Sequence, residues 1–157
     1  EAGHIGHVCC PAAAGVPCSC GASAHLEPIA AGPGIIREYI RLGGDELCAD
    51  GTPMHGAEID ARAAAGDEAA VGAEHRAGLA LGEGLGSMCT MLDPACVILS
   101  GSVAQCGPNW SNAMAEGFKS QAMPPVATTP IVGGELGGDA PLIGAAENFV
   151  SSGYAEC

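Results

Sequence analysis

The sequence predicts an α/β fold, and three observations support this prediction. Hydrophobic residues make up 48% of the 157 residues and charged residues only 15%, which is the composition of a chain that folds around a core. Segments whose apolar residues recur at helical spacing alternate with short apolar runs that are typical of strands. From residue 68 onward the order is helix, strand, helix, strand, helix, which indicates a layered α/β arrangement.

Before residue 68 the sequence predicts a loop followed by helices. Residues 1–25 are expected to form the loop, and they hold three of the five histidines and four of the nine cysteines. A helix is expected over 26–42, and Pro33-Gly34 should divide it or shift its phase. A connector over 45–55 and a short helix over 56–65 follow.

A long helix is predicted over 68–92, with Asp67 as its N-cap. Its glycines each cost about 1 kcal/mol against alanine, so they indicate close packing of this helix against a neighbour. The residues that mark its buried face are Leu81, Leu85, Met88, Cys89 and Leu92. The glycines are Gly72, Gly78, Gly82, Gly84 and Gly86.

The rest of the chain alternates strands and helices. Asp93-Pro94 should end the long helix. The elements expected after it are a buried strand over 96–99, a helix near 108–120, a strand over 126–132, a loop over 133–138 and a helix from Pro141 to about residue 150.

Charge and composition exclude several classes of function. The net charge is −13, and an acidic surface repels phosphate backbones, so no nucleic-acid partner is expected through this segment. The sequence has no run of 18 or more apolar residues, so no membrane span is expected. The cysteine count is odd, and Cys89 and Cys96 lie inside apolar segments, which opposes a disulfide scaffold. We expect a cytoplasmic protein with reduced thiols.

The start of the chain suggests that it is part of something longer. Because the sequence begins with Glu1 and shows no signal-peptide pattern, we expect a piece of a longer reading frame or a processed product.

The residues best suited to bind a metal lie in the N-terminal loop. Zinc prefers four Cys or His ligands in a tetrahedron. Cys18 and Cys20 are one residue apart in a predicted tight turn, His25 lies five residues beyond Cys20, and His7 lies eleven before Cys18. This spacing predicts a zinc site.

Two alternatives to that ligand set stay open at this level. Cys9 and Cys10 are further thiols in the same loop and could replace a predicted ligand. A loop whose cysteines bind no metal is the other alternative, because a Cys-x-Cys pair is weaker support for zinc than two Cys-x-x-Cys pairs.

Three segments resemble the signature of the ROK family (repressor, open reading frame, kinase). Gly6-His7 followed by Cys18-x-Cys20-Gly21-x-x-x-His25-x-Glu27 resembles the family's Glu-x-Gly-His and Cys-x-Cys-Gly-x-x-Gly-Cys-x-Glu. Residues 92–103 are similar to its Leu-Asp-Pro, strand and Gly-rich turn, and residues 136–146 to its closing motif. The three motifs occur in the family's order and cover nearly the whole chain.

The resemblance implies a fold and a domain division. The fold would be the C-terminal lobe of an actin-like ATPase (ribonuclease H-like) with a zinc-binding loop. That loop would occupy residues 1–25 and the α/β lobe residues 26–157, without the N-terminal lobe.

The resemblance also implies roles for matched positions. His7, Cys18 and Cys20 match zinc ligands, and His25 stands where a third cysteine is usual. His7 would also lie beside the sugar, and Glu27 matches a carboxylate that accepts hydrogen bonds from sugar hydroxyls. The turn that approaches adenosine is matched by Gly101 and Ser102.

The chain departs from the family pattern at three places. His4 stands where a sugar-binding glutamate is usual, which makes the sugar preference uncertain. Ala24 replaces a glycine, which matters only if that position needs a positive φ. The half with the phosphate loop and the catalytic aspartate is absent, and Asp50-Gly51-Thr52 is interpreted as a turn, so no catalytic residue is assigned.

These observations predict half of an ATP-dependent kinase for a hexose or N-acetylhexosamine. Zinc would be structural, the complete enzyme would use ATP and Mg²⁺, and this chain alone would be inactive because phosphoryl transfer needs a base and a phosphate cradle. A sugar-responsive transcriptional repressor of the same family and an inactive zinc-binding fragment are the alternatives. By resemblance, a homodimer is expected.

Overall fold

The computed structural model describes residues 3–152. Its helices and strands follow in chain order as α1 (Glu27–Ala30), α2 (Gly32–Arg41), α3 (Gly56–Ala64), α4 (Glu68–Leu92), β1 (Val97–Leu99), α5 (Pro108–Gln121), β2 (Ile131–Gly133) and α6 (Ala140–Ser151). Short 3-10 helices span Ile5–His7, Pro11–Ala13, Val103–Gln105 and Gly137–Asp139.

The long helix α4 forms the centre of the core. As predicted, the Asp67 side chain caps it by accepting a hydrogen bond from the Ala70 N–H at 2.9 Å. The predicted close packing is also confirmed. A Cβ added at Gly86 would lie 2.6 Å from the Phe118 carbonyl oxygen, and one at Gly82 would overlap backbone atoms of α5. These glycines therefore let α4 and α5 approach until their backbones touch.

The helical segment 26–42 divides earlier than predicted. The break lies at Ala31, whose ψ of 157° is extended, and α2 begins at the next residue. Pro33 lies in the first turn of α2, where proline is tolerated because its missing N–H would have no partner in the helix. The proline thus marks the start of a helix and not an interruption within one.

The two strands form a parallel pair in which Val97 lies opposite Ile131 and Leu99 opposite Gly133. The predicted second strand, residues 126–132, was wrong over most of its length. The backbone N–H of Val126 bonds to Met123 in a turn, and Val126 packs into the core as part of that turn. An apolar residue in a buried turn therefore carries the same hydrophobic signal as a strand.

Helix α6 leaves its apolar side chains exposed in the described part of the chain. Pro141 lies in its first turn, as predicted. Leu142 is 73% exposed and Phe149 53% exposed.

Among residues 3–152, no helix is long and apolar enough to cross a membrane.

Candidate metal centre and neighbouring clefts

A narrow hairpin presents the two predicted cysteine ligands. Pro17 and Ser23 pair in antiparallel fashion at its base. Within it, the Cys18 N–H donates to the Ala22 carbonyl at 2.8 Å, and the Gly21 N–H donates to the Cys18 carbonyl at 3.0 Å. This is the tight turn expected from the flanking proline and glycine.

The two histidines reach the cysteines from neighbouring backbone segments. His7 ends the 3-10 helix Ile5–His7. Cys9 pairs with His25 in an antiparallel bridge, and the Leu26 N–H donates to the Val8 carbonyl at 3.0 Å. The segment after His7 therefore runs beside the segment that carries His25.

The four predicted ligands come together around one point. Their ligating atoms all lie within 4.8 Å of one another. Nδ1 of His7 is 3.4 Å from Nδ1 of His25, Sγ of Cys20 is 3.3 Å from the same His25 nitrogen, and Sγ of Cys18 is 3.7 Å from the His7 nitrogen. A zinc tetrahedron with Zn–S of about 2.3 Å and Zn–N of about 2.0 Å has edges of about 3.3–3.8 Å. The cluster therefore fits a zinc ion.

The Cys18 thiol is also chemically suited to ligation. A hydrogen bond from the Cys20 backbone, with smaller contributions from the side chains of His25, Cys20 and His7, lowers the Cys18 pKa to about 6 against the opposing effect of burial. The thiolate is the form that binds metals.

The rival thiols lie outside the cluster. Cys10 is buried in a small core with Ala13, Leu26 and Ile29, and this burial raises its pKa. Cys9 is exposed and meets His25 through the backbone bridge already described. The group that could hold an ion therefore contains the predicted set of ligands and neither rival.

In the described part of the loop that carries the cluster (residues 3–25, the metal loop), Ala24 adopts a strained backbone conformation. Its φ is +64°, in the left-handed region that favours glycine. This residue links the hairpin to His25, and its carbonyl accepts the Cys10 N–H at 3.1 Å. The replacement of a usual glycine by alanine therefore falls where a positive φ is needed.

The predicted sugar-binding residues lie around the same 3-10 helix. The ring centroids of His4 and His7 are 6.1 Å apart. A Cβ added at Gly6 would lie 3.1 Å from the Cβ of Glu27, so glycine allows the helix to approach the start of α1 closely. Glu27 is exposed and lines a cleft of about 510 Å³ that also includes Ser19 and Arg37.

The predicted nucleotide residues lie in the turn after β1. Gly101 has a φ of +102°, which glycine adopts without strain. Ser102 lines a second cleft, of about 400 Å³, together with Gly32, Ile35 and Val103. The lining of this cleft does not include Gly101.

The same cleft contains a cluster that the sequence analysis missed. One ligating atom from each of Asp60, Glu74 and Cys106 lies within 4.8 Å of the others. Glu74 is 1% exposed, and burial raises its pKa to about 7. Burial, with Glu74 and Asp60 nearby, raises the pKa of Cys106 to about 11. In the sequence, the feature that could have indicated this cluster is Glu74, which follows Ala73 on the alanine-rich face of a predicted helix.

Comparisons with known proteins agree with these observations. The ROK family model matches residues 1–150. A glucokinase from Halalkalibacterium halodurans is 28% identical over 155 residues, covering 91% of this chain and 46% of the relative. The chain thus spans about half the length of the curated relative it matches.

Solved ROK structures share the fold. A ROK hexokinase from Thermus thermophilus is 28% identical with a TM-score of 0.74, and the match covers 92% of this chain and 46% of the hexokinase chain. A ROK glucokinase from Streptomyces griseus in complex with glucose and AMPPNP is 24% identical with a TM-score of 0.73, covering 93% and 50%. A ROK transcriptional regulator, a homologue of the E. coli MLC protein, is 24% identical with a TM-score of 0.71, covering 85% and 34%.

These neighbours include sugar kinases with the actin-like ATPase fold, and that part of the fold prediction is confirmed. With the family model covering nearly all of the chain, the protein belongs to the ROK family.

Proposed function

We propose that this chain is the sugar-binding and adenosine-binding half of an ATP-dependent ROK kinase that phosphorylates a hexose or N-acetylhexosamine. The observation that carries the proposal is the position of the metal cluster. The 3-10 helix that supplies His7 to the cluster packs against Glu27 through its Gly6. The metal loop and the proposed sugar-binding carboxylate are therefore parts of one local structure.

In the proposed sugar site, Glu27 accepts hydrogen bonds from two neighbouring hydroxyls, since a carboxylate is a charged acceptor. His7 directs Nδ1 into the cluster, which leaves Nε2 for a sugar hydroxyl. His4 takes the place of a usual glutamate and offers imidazole nitrogens in place of carboxylate oxygens. Zinc, when bound by His7, Cys18, Cys20 and His25, supplies rigidity and no chemistry.

The proposed nucleotide site is the cleft beside Gly101 and Ser102. Small residues in this turn would let the backbone approach adenosine, and the Streptomyces griseus relative was solved with AMPPNP. Phosphoryl transfer also needs a base, Mg²⁺ and a phosphate cradle. Asp50 is not proposed as the base. Its Oδ1 accepts hydrogen bonds from the backbone N–H and the Oγ1 hydroxyl of Thr52 within a turn.

The catalytic aspartate is therefore proposed to come from the remaining half of the enzyme. The apolar side chains of α6, Leu142 and Phe149 among them, would pack against that half. This explains why an apolar helix lies exposed on the described chain, and why the chain alone is proposed to be inactive.

A repressor of the same family is the second candidate, because a ROK transcriptional regulator shares the fold with a TM-score of 0.71. A kinase must bind nucleotide as well as sugar, whereas a regulator needs only the sugar. The two functions are therefore separated by the nucleotide.

Calorimetric titration of the chain with glucose, N-acetylglucosamine and AMPPNP tests the proposal. We expect saturable sugar binding that Glu27→Gln weakens at least about 10-fold and that the exposed control Glu46→Gln leaves unchanged. Sugar and AMPPNP binding together support the kinase, and sugar binding alone supports the regulator. Absence of sugar binding to the zinc-loaded chain, or equal binding by Glu27→Gln, contradicts the proposed sugar site.

A further inference from the structure

The cluster formed by Asp60, Glu74 and Cys106 has the composition of a metal site. Asp60 comes from α3, Glu74 from α4, and Cys106 from the turn that leads into α5. These residues are far apart in sequence, yet a carboxylate oxygen of Asp60, one of Glu74 and the thiol sulfur of Cys106 all lie within 4.8 Å of one another. Three separate elements thus direct ligand-type atoms to one place.

Glu74 supplies an independent reason to expect a ligand. It is 1% exposed, and among residues 3–152 its Oε1 accepts no hydrogen bond from an N–H or hydroxyl donor, with the carboxyl of Asp60 as its neighbour. Its other oxygen lies 3.4 Å from the Asn109 side-chain amide. Buried carboxylate oxygens are normally paired, because an unpaired one loses its hydration without compensation.

No positively charged side chain in the described part of the chain pairs with the cluster. Asp60 accepts a hydrogen bond from the Gly107 N–H at 2.8 Å, which is a neutral donor. The ion pairs of Arg62 are with Asp45 and Glu58, and Arg76 pairs with Glu38. Within residues 3–152, no ion pair between described residues includes Asp60 or Glu74. The positive charge that this site lacks is what a cation would bring.

The cluster can be reached from solvent. All three residues line the cleft of about 400 Å³, so an ion can enter without unfolding the helices. His55 lines the same cleft, and its Nδ1 is already occupied as the cap of α3, where it accepts the Glu58 N–H at 3.2 Å. Its Nε2, or a water molecule, would complete a coordination of four.

We propose that Asp60, Glu74 and Cys106 bind a divalent transition-metal ion of the zinc type, at a second site separate from the loop cluster. A thiolate beside two carboxylates favours zinc or cobalt over Mg²⁺ or Ca²⁺, which prefer oxygen ligands only. The proposal does not depend on the proposed kinase function, because binding of the ion by these three side chains needs neither sugar nor nucleotide, although the ion would lie in the cleft proposed for the nucleotide.

The test is metal content after the chain is stripped with a chelator, reloaded with zinc and freed of excess ion. We expect one zinc to depend on Glu74 and Cys106 and another to depend on Cys18 and Cys20. Glu74→Gln and Cys106→Ala should each lose only the first, and Cys18→Ser with Cys20→Ser only the second. The exposed thiol control, Cys96→Ser, should keep both.

Cobalt spectroscopy gives a second reading of the same site. In the Cys18→Ser, Cys20→Ser background, bound Co²⁺ should show a sulfur-to-cobalt charge-transfer band that disappears with Cys106→Ala. Circular dichroism checks that each variant is folded, and Glu74→Gln keeps the side-chain volume if Cys106→Ala does not fold. The proposal is overturned if no equivalent of metal depends on Glu74 and Cys106 in folded protein, since the pair of carboxyls would then only share a proton.

Discussion

Glu83 of α4 accepts a hydrogen bond from the backbone N–H of Ala12 at 2.7 Å, across 71 residues of sequence. The carbonyl of the same Ala12 accepts a hydrogen bond from Nε of Arg76 at 3.1 Å. The side chains of Glu83 and Arg76 therefore hold one residue of the metal loop, Ala12, on the central helix. Because Glu83 is 7% exposed, this contact is shielded from water, and it anchors the segment between His7 and Cys18 on the core.

The first prediction follows from this contact. Replacing Glu83 by alanine should weaken zinc binding at the loop by about 10–100-fold, although no ligand is removed, because supporting contacts orient the ligands. Competition against a chromophoric chelator measures the affinity. Glu116→Ala, an exposed glutamate on α5, is the control and should bind zinc as the unaltered chain does. Equal zinc affinity in folded Glu83→Ala would show that the anchor plays no part in positioning the ligands.

The second prediction concerns the strained backbone at Ala24, whose φ is +64°. Ala24→Gly should stabilise the chain by about 0.5–1 kcal/mol, because relief of the left-handed strain exceeds the added entropy of the unfolded chain. Denaturant unfolding measures the change. Ala14→Gly, at an exposed loop position with a φ of −51°, should instead destabilise. A loss of stability in Ala24→Gly equal to that of the control would contradict the strain.

The sequence predicted the metal cluster better than it predicted the second cleft, and the reason is physical. The candidate ligands His7, Cys18, Cys20 and His25 are local, so a turn and short spacings suffice to bring them together. Asp60, Glu74 and Cys106 meet only because α3, α4 and the turn before α5 pack together, and no spacing in the sequence expresses that packing. Their one visible signal was Glu74 on an alanine-rich helix face.

Some helices and strands were predicted accurately and others were not. The predicted boundaries of α4 agree with the observed ones, Glu68 and Leu92, because an N-cap residue marks the start and an Asp-Pro pair marks the end. The second strand was misplaced because Val126 is buried within a turn, and burial alone does not distinguish a turn from a strand. The pairing of Val97 with Ile131 depends on the tertiary structure and could not be predicted from either segment.

The third prediction concerns the contact between α4 and α5. Gly82→Ala should destabilise the chain by about 3 kcal/mol or more, because the new methyl group meets the backbone at Met114 and Phe118, which cannot move without separating the helices. Gly72→Ala lies on the same helix and meets only the flexible end of the Leu42 side chain. That control should be neutral or stabilising by up to about 1 kcal/mol. Thermal or denaturant unfolding of both variants decides the matter, and equal effects would contradict the backbone contact.

The fourth prediction is a pH dependence that originates at Glu38. Arg41, through a two-point contact at 2.7 Å, and then Arg76 lower the pKa of this carboxyl to about 2 from its usual 4.5. Because the pKa is lower in the folded state, the contribution to stability is fully present above pH 4.5 and is lost as the pH falls toward 2. Stability should therefore decline with acid across that window.

Glu38→Gln isolates this contribution, because it keeps the side-chain shape and removes the titrating group. The difference in free energy of unfolding between the unaltered chain and Glu38→Gln should be largest near pH 6 and shrink as the pH falls from 4.5 to 2. The other titratable groups are the same in both proteins, so their contributions cancel in the difference. Denaturant titrations at several pH values provide the measurement. A difference that stays constant across the window would mean that the two arginines do not stabilise the charged form of Glu38 in the folded chain.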